Sequence, residues 1–400
     1  MTLNVVLFSF AAVLSLRGSR TIELKHFLLL AFNLSFLFFL FYWQLTALAY
    51  LLVFFVCNFL LMKLIAHLKY GRLGLATALI LGDILFVFFC NYSNRLNSFS
   101  AIIPLPLGML GLSFAILRLF HLIVETAKGK LIQQLTFFRY CNFILFFPLY
   151  LAGPLVHFDR FITQLESSKS LNSEQIYRAL SRIVIGLFKV QVLAMIINYF
   201  SLQTVDGQVL EFIRPEKVLL AAYVYGLWLY LSFSGATDVA IGFGSLLGVT
   251  LPENFNRPFL ALNIQDFWQR WHMSFMAWIK DYLYIPLLVH IRILFKGSPV
   301  LCTAISMLLS FLLLGIWHGT GWHFVTYGLF HGMGMLIFLL YSLYIKKHLL
   351  RMKPTSSLLA ARLSFVLRLA SWFLTWNFIS IGWFFYLGQE GALWHMIGWL

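Results

Sequence analysis

The chain is built from repeated apolar runs, each close to the length of about 20 residues that a helix needs to cross the hydrocarbon core of a bilayer. In lipid, a backbone must satisfy its own hydrogen bonds, and a helix does so within one segment. The runs therefore predict an all-α, polytopic integral membrane protein with roughly ten or more transmembrane and re-entrant helices. They lie at 27–43, 44–62, 74–91, 101–124, 132–151, 180–200, 217–233, 300–316, 322–345 and 364–386.

The composition supports the same fold class. Hydrophobic residues make up 61% of the 400 residues and charged residues only 11%, whereas a soluble domain carries about 25% charged residues. The longest polar stretch, at 157–179, is too short to bury a core of its own. We therefore expect one transmembrane domain over 1–400. The first apolar run, 5–16, has no preceding basic residue and no small-residue cleavage site, so we expect it to be retained and not removed as a signal peptide.

The formal net charge of +15 does not indicate a nucleic-acid-binding protein. Lysine and arginine lie in short loops at the ends of apolar runs, as the positive-inside rule and anionic lipid head groups predict. Examples are the basic stretches 63–72, 128–130 and 346–353. The four cysteines are isolated and form no CxxC pair, so we interpret them as small apolar residues and expect neither a disulfide framework nor a metal site.

Loop charge also shows that one apolar run is not a simple crossing. The loops 126–131 and 153–179 both belong in the cytoplasm, although the run 132–151 separates them. One crossing cannot join two loops on the same side of a membrane. We therefore expect this run to be re-entrant or broken, and the available helix breakers are Pro148, Gly153 and Pro154.

The segment 251–299 is rich in aromatic residues but too polar for a simple span. Drawn as one helix, 266–282 has an aromatic face and a polar face, which is typical of a helix that lies in the membrane interface. The aromatic face holds Phe267, Trp271, Phe275, Trp278 and Tyr282, and the polar face holds Asp266, Arg270, Ser274 and Asp281. Broken and in-plane helices indicate a cavity, because irregular backbone in a membrane needs protein or water to satisfy it.

Two histidines lead the candidates for chemistry. His318 ends a long apolar run just before a glycine-rich break. Histidine can accept a proton near neutral pH without a shift of its ordinary pKa. The alternative for His318 is a hydrogen bond to a neighbouring helix without a catalytic role. His272 is the second candidate, and an interfacial ring at the level of the lipid head groups explains it equally well. Secondary candidates are His121, His157, His323 and His331.

Two further polar segments favour structural roles. Asp238 lies in an apolar setting among small and hydroxylated residues, so we expect it to pair with an arginine or a hydroxyl. The segment 252–259 predicts a rigid turn, which an ion pair between Glu253 and Arg257 is expected to fix. Nucleophile elbows, P-loops, dinucleotide fingerprints and metal-binding clusters are missing from the sequence. Hydrolases and nucleotide-driven pumps are therefore disfavoured. The remaining class of reaction is one that a single histidine can catalyse on an already activated reactant.

The sequence resembles the membrane-bound O-acyltransferases, most closely the bacterial polysaccharide-modifying branch with its teichoic acid D-alanyl transfer and alginate O-acetylation proteins. The resemblance covers about 100–388 and depends on short motifs in a specific order and spacing. These motifs are Leu-Gly-Leu-Ser near 110–113, Ala-Gly-Pro-Leu at 152–155, Phe-Ser-Gly at 233–235, Pro-Glu-Asn-Phe-Asn-Arg-Pro at 252–258, Phe-Trp-Gln-Arg-Trp-His-Met-Ser at 267–274, Asp-Tyr-Leu-Tyr-Ile-Pro at 281–286, Trp-His-Gly at 317–319 and Gly-Trp-Phe-Phe at 382–385.

The resemblance implies many helices around a central tunnel, with His318 as the general base and His272 as a second catalytic histidine. It implies a cytoplasmic thioester donor, either acetyl-CoA or an acyl or D-alanyl carrier protein, with no permanently bound cofactor. The implied acceptor is a hydroxyl of an extracytoplasmic glycan, teichoic acid or glycolipid, reached with a secreted or membrane-anchored partner in the bacterial cytoplasmic membrane. Residues expected to line or support the tunnel are Trp317, Asp238, Ser234, Asn254, Asn256, Arg257, Arg270, Trp271, Ser274 and Asp281.

Two other classes of function stay open from the sequence. A transporter or flippase would also use broken helices and the intramembrane residues His318 and Asp238. The lack of an inverted repeat and the aromatic in-plane segment count against it. A scaffold that recruits secreted partners is the second alternative, and it would tolerate the loss of His318. We favour the O-acyltransferase, with acetyl and D-alanyl groups both open.

Overall fold

The structure is a computed structural model that describes residues 2–17, 21–92, 111–167, 171–200, 215–319, 321–345 and 357–388. All regular elements in this part of the chain are helices, which confirms the all-α prediction. Seven of the described helices are long and apolar enough to cross a membrane, and the polytopic membrane fold is thereby confirmed. The number of spans in the whole chain and the central tunnel stay predictions. Leu110, Thr320 and the basic stretch 346–353 lie outside the described residues.

The helices are numbered here in chain order. The N-terminal helices are α1 (Thr2–Arg17), α2 (Ile22–Phe41), α3 (Leu45–His67), α4 (Arg72–Tyr92), α5 (Leu112–Ala127), α6 (Phe137–Ile144), α7 (Phe147–Tyr150) and α8 (Phe158–Ser167). The remaining helices are α9 (Ser173–Asn198), α10 (Pro215–Leu246), α11 (Ile264–Arg270), α12 (Met273–Ile279), α13 (Ile285–Phe295), α14 (Pro299–His318), α15 (Trp322–Ile345) and α16 (Ser357–Leu387). The helices long and apolar enough to cross a membrane are α2, α3, α9, α14 and α15, with Lys217–Leu246 of α10 and Arg362–Leu387 of α16.

The chain packs as two compact units. Unit 1 comprises Met1–Leu187 and Ala236–Pro252, and unit 2 comprises Phe188–Gly235 and Glu253–Leu400. The helices α9 and α10 therefore each contribute residues to both units. The predicted single domain over 1–400 stays a prediction.

In unit 1, α2 is sorted into two faces. Its buried face recurs every three or four residues and includes Leu29, Phe36, Leu37 and Leu40, whereas Phe27, Leu34 and Phe38 are exposed. An exposed apolar face is stable in a bilayer because lipid tails cover it. The buried face also holds the polar residues His26 and Asn33, which bond to the segment described next.

The apolar run 132–151 is broken, as loop charge predicted. The helix α6 ends at Ile144, and α7 begins at Phe147 with a proline in its first turn. The backbone N–H of Phe147 donates to Asn33 Oδ1 at 3.0 Å, and Asn33 Nδ2 donates to Asn142 Oδ1 at 3.0 Å. Side chains of the neighbouring span thus bond the backbone that the break exposes, as a membrane requires.

The same polar chain reaches Glu166 on α8. Asn142 Nδ2 donates to the backbone oxygen of His26 at 2.9 Å, and the His26 ring lies 2.9 Å from Glu166 Oε1. Arg139 binds both oxygens of Glu166, at 2.7 and 2.9 Å. Burial raises the pKa of the Glu166 carboxyl, but hydrogen bonds from Arg139 and His26 outweigh burial and hold this pKa below its ordinary value.

The sequence predicted one continuous helix over 266–282 in unit 2, and this prediction is wrong. The helix α11 ends at Arg270, and His272 adopts a left-handed backbone with φ 47° before α12 starts at Met273. The helix is interrupted because the preceding turn supplies other partners. Asn256 N donates to the backbone oxygen of Arg270 at 3.0 Å, and Met273 N donates to the backbone oxygen of Asn254 at 2.9 Å.

The spans α14 and α15 of unit 2 approach each other closely at two glycines. A Cβ atom on Gly315 would lie 3.0 Å from the backbone of Gly328, and a Cβ atom on Gly328 would lie 3.2 Å from the backbone of Gly315. Small residues permit such close packing between membrane helices, where the hydrophobic effect does not hold them together. This contact fixes the end of α14, where His318 lies.

Candidate functional site

His318 is the last residue of α14, and the chain leaves the helix at Gly319. Gly319 is extended at φ 166°, and a Cβ atom at this position would overlap the Phe324 ring. The ring of Phe324 therefore occupies the space that a side chain at position 319 would need. The result is a histidine at an interrupted membrane helix, as the sequence predicted.

Four aromatic rings surround the imidazole of His318. The ring centroids lie 4.9 Å from Trp317, 5.2 Å from Tyr386, 5.7 Å from Tyr327 and 6.2 Å from Phe324. The side chain of His318 is nevertheless only half-buried. An imidazole that is held by aromatic walls and still accessible can exchange a proton with a reactant that enters the space beside it.

His272 belongs to the same unit but is buried, with 6% of its surface exposed. Its ring packs between Phe233, at 4.7 Å between centroids, and Phe275, at 4.9 Å. Phe275 in turn contacts Trp317 at 4.7 Å, so aromatic contacts link His272 to the neighbour of His318. The two histidines also lie close enough to interact electrostatically.

Asn254 and Ser274 hold the backbone on both sides of His272. Asn254 is fully buried, and its Oδ1 accepts hydrogen bonds from Ser274 Oγ at 2.5 Å and from Ser274 N at 3.3 Å. The backbone oxygen of Asn254 accepts from Met273 N at 2.9 Å. These bonds flank His272, which has a left-handed backbone with φ 47°; the supporting role of both residues in a substrate tunnel stays a prediction.

Trp271 and Ser234 also lie in unit 2. Trp271 is buried, stacks on Phe267 at 5.5 Å between centroids, and contacts Trp383 at 5.9 Å. Ser234 is buried on α10, one residue after the Phe233 ring that packs on His272. Trp271, Trp317 and Ser234 are thus grouped around the two histidines.

The remaining predicted residues of unit 2 lie at the surface of the broken segment. Arg270 Nε binds Asp266 Oδ1 at 2.6 Å and stabilises α11 as an i,i+4 pair. Asn256, Arg257 and Asp281 are exposed. Asn256 contacts the broken segment through its backbone, whose N–H donates to the backbone oxygen of Arg270 at 3.0 Å.

The expected ion pair between Glu253 and Arg257 is not present among the salt bridges of the described residues. Arg257 acts through its backbone instead. It adopts a left-handed conformation with φ 48° immediately before Pro258, where a short 3₁₀ turn starts. The rigid turn that the two prolines predicted is therefore present, but backbone geometry and the hydrogen bonds of Asn254 and Asn256 hold it.

Asp238 belongs to unit 1. Its Oδ1 accepts a hydrogen bond from Arg182 Nε at 3.0 Å and lies 2.9 Å from Arg182 Nη2 in an ion pair. The prediction that Asp238 pairs with an arginine is confirmed. His121 also belongs to unit 1, where its Nε2 accepts from Phe158 N at 3.0 Å beside the ring of His157.

The sequence singled out neither Tyr327 nor Tyr386 and ranked His331 only as secondary. Tyr327 contacts His318, His331 and Tyr386, with ring centroids 5.7, 4.6 and 5.3 Å apart. His331 follows Tyr327 by one helical turn, so the i,i+4 spacing is the available signal for that pair. Tyr386 directly follows the Gly-Trp-Phe-Phe motif at 382–385, but no local pattern places it beside His318.

The described residues contain no group of three or more histidine, cysteine, aspartate or glutamate side chains that could hold a metal ion. The polar atoms near His318 come instead from histidine, tyrosine and tryptophan side chains. This set can accept and donate protons and hydrogen bonds.

Comparison with known proteins matches the chain to a family over most of its length. The sequence model of the MBOAT, membrane-bound O-acyltransferase family matches residues 8–380. A peptidoglycan O-acetyltransferase of Helicobacter pylori is 36% identical over 64% of this chain and 45% of its own length. A teichoic acid D-alanyltransferase of Bacillus subtilis is 29% identical over 71% of this chain and 69% of its own length.

A probable alginate O-acetylase of Azotobacter vinelandii is 30% identical over 57% of this chain and 44% of its own length. The chain thus spans about half the length of the Helicobacter and Azotobacter relatives that it matches. The predicted family resemblance is confirmed, and the three relatives include both acetyl and D-alanyl transfer in their names.

Proposed function

This chain belongs to the membrane-bound O-acyltransferase family, and we propose that it transfers an acetyl or D-alanyl group from a cytoplasmic thioester to a hydroxyl of an extracytoplasmic polymer. The observation that carries the proposal is the half-buried imidazole of His318 at the interrupted end of α14. The relatives named for peptidoglycan, teichoic acid and alginate support a cell-envelope glycan as acceptor.

In the proposed reaction, His318 is the general base. Its neutral ring accepts the proton of the acceptor hydroxyl while the hydroxyl oxygen forms a bond to the thioester carbonyl carbon. The resulting tetrahedral intermediate collapses, the carbon–sulfur bond breaks, and the thiolate takes the proton from the His318 imidazolium. The products are an ester and a free thiol, so His318 returns to its neutral form and no net proton is consumed.

His272 stabilises the negative charge that develops on the carbonyl oxygen. Its buried position, fixed by the bonds of Asn254 to Ser274, supports this role. A donor that is oriented before reaction and sits in a water-poor site stabilises an oxyanion more than water does. The proposed donors are acetyl-CoA and a D-alanyl carrier protein, and the thioester provides the activation without a bound cofactor.

The proposed setting is the cytoplasmic membrane of a bacterium, where donor and acceptor lie on opposite sides. A secreted or membrane-anchored partner presents the acceptor polymer. The predicted tunnel connects both sides at His318. Because the names of the relatives differ between acetyl and D-alanyl transfer, the donor experiment below also identifies which acyl group this chain transfers.

The experiment measures transfer of label from acetyl-CoA and, separately, from D-alanyl-loaded carrier protein to endogenous polymer in bacterial membranes. Three proteins are compared: wild type, His318→Ala, and His323→Ala. His323 is a matched control, because it lies near the same chain break and packs on Phe324. Transfer from one donor that is lost only in His318→Ala supports the proposal. Transfer that is equal in all three proteins, or absent in wild type with both donors, contradicts it.

A further inference from the structure

His331 on α15 is a buried histidine whose ring nitrogens have no hydrogen-bond partner among the described residues. Only 1% of its surface is exposed. Aromatic rings enclose it, with centroids 4.6 Å away at Tyr327, 5.1 Å at Trp268 and 5.6 Å at Phe378. A buried imidazole normally bonds through at least one nitrogen, so His331 requires an explanation.

Two neighbouring indole N–H groups are also buried without a hydrogen-bond acceptor in the described part of the chain; they belong to Trp268 and Trp383. Trp268 packs edge-on to His331, and Trp383 stacks on Tyr327 with ring centroids 6.5 Å apart. An indole can only donate a hydrogen bond, and a neutral imidazole always carries one N–H donor. This cluster therefore offers several donors, and a group that completes it must accept hydrogen bonds, as carbonyl and hydroxyl oxygens do.

The cluster adjoins the proposed transfer site. Tyr327 contacts both His318 and His331, with ring centroids 5.7 and 4.6 Å away. His331 and His318 are also close enough to interact electrostatically. On its other side, His331 packs on α16 at Gly382, where a Cβ atom would lie 2.7 Å from Nε2. The glycine thus makes room for an imidazole that no side chain of the described structure binds.

We propose that His331 is a substrate-binding residue, which donates a hydrogen bond to an oxygen of the bound thioester or hydroxyl substrate and so positions it against His318. The inference rests on the proposed function, because acyl transfer supplies both the carbonyl and the hydroxyl oxygens. A buried donor without a protein partner lowers stability, so the residue is explained by a partner that arrives with the substrate.

If His331 only packs in the core, the opposite change in stability is expected. Replacing a well-satisfied core histidine with phenylalanine would lower stability, whereas removing an unsatisfied buried polar group leaves stability equal or higher. Stability and activity therefore change in opposite directions if His331 binds substrate. They fall together if His331 is a packing residue.

The experiment compares wild type, His331→Phe, His331→Gln and the control His290→Phe, at an exposed histidine on α13, in purified, lipid-reconstituted form. Thermal unfolding and the steady-state kinetics of transfer are measured for each protein. We expect His331→Phe to unfold at the wild-type temperature or above it and to lose about 10-fold or more in kcat/KM. We expect His331→Gln to recover most of this loss, because its side-chain amide again supplies an N–H donor. His290→Phe is expected to keep wild-type kcat/KM.

Unfolding of His331→Phe well below the wild-type temperature overturns the inference, and so does wild-type kcat/KM in this variant. Either result leaves the proposed function intact as long as the wild type transfers the acyl group. A wild-type protein that is folded but transfers from neither donor instead overturns the proposed function, and the role of His331 with it.

Discussion

Asn254 and Ser274 are joined across the break between α11 and α12, where one amide oxygen accepts hydrogen bonds from both the hydroxyl and the backbone N–H of Ser274. His272 lies between the two helices along the chain and has a left-handed backbone. The pair bonds the backbone next to His272, whose ring packs on Phe275, and Phe275 contacts Trp317.

Asn254→Ala tests this support. We expect the substitution to lower the free energy of unfolding by about 1–3 kcal/mol, because buried donors of Ser274 lose their acceptor. Displacement of His272 lowers transfer further, and a shift of about 1 Å can cost about 100-fold in rate. Thermal unfolding and transfer rate per folded molecule measure the two effects.

Asn263→Ala is the matched control for that experiment. Asn263 caps the start of α11 by accepting from Asp266 N at 2.8 Å, and the loss of such a cap costs about 1 kcal/mol. It does not contact His272, so transfer per folded molecule should stay at the wild-type rate. Equal losses of transfer in both variants would show that Asn254 only stabilises the fold.

The ion pair between Arg182 and Asp238 provides a second prediction. Asp238→Asn is expected to destabilise unit 1 by about 1–2 kcal/mol, a modest cost because Arg182 is partly exposed. The transfer rate per folded molecule should not change, since the pair is structural. Thermal unfolding of Asp238→Asn, Arg182→Gln and the double variant checks this, and the double variant should lose less stability than the sum of the two single losses. Lost transfer with unchanged stability would instead place Asp238 in the chemistry.

A third prediction concerns pH. Burial raises the pKa of Glu125, but hydrogen bonds from Lys128 and Lys130 outweigh burial and lower this pKa from 4.5 to about 2. A depressed carboxyl pKa stabilises the fold fully above the unfolded value and loses this effect as the pH falls through the folded value. The stability advantage of wild type over Glu125→Gln should thus be constant above pH 4.5 and shrink between pH 4.5 and about 2.

Thermal unfolding of both proteins in detergent over this pH range makes the comparison. A stability difference that stays constant down to pH 2 would show that the folded and unfolded pKa values of Glu125 are equal. The exposed ends of both lysines make the effect sensitive to salt, so ionic strength must be held fixed.

The spans were predictable because their signal is local. Length and hydropathy locate α14 and α15, and loop charge alone indicated that the run 132–151 is broken. The pairing of Asp238 followed from the cost of burying a lone carboxylate. The position of His318 at a helix end followed from the glycine that comes directly after it.

The break at His272 was not predictable from periodicity, because it depends on partners that lie about 20 residues earlier in the chain. A helical pattern continues through 266–282, but Asn254 and Asn256 bond the backbone that a continuous helix would bond itself. The neighbours of His331 are equally non-local, since Trp268 and Phe378 come from separate helices. Such contacts are set by packing, which the sequence pattern alone does not encode.

His272→Ala is expected to reduce transfer less than the loss of the base does. Removing one oxyanion-stabilising group costs about 100-fold in kcat, and KM for the thioester should change little. Steady-state kinetics with the donor that the wild type uses will measure both constants. A rise in KM without a change in kcat would instead assign His272 to substrate binding and not to stabilisation of the oxyanion.

The central claim is that His318 performs the proton transfer, and kcat of purified His318→Ala in lipid nanodiscs tests it most directly. We predict a loss of at least about 1,000-fold in kcat per folded molecule, whereas the lost ring contacts with Trp317, Tyr327 and Tyr386 lower the thermal unfolding temperature without preventing folding. Wild-type kcat in a folded His318→Ala protein would contradict the account.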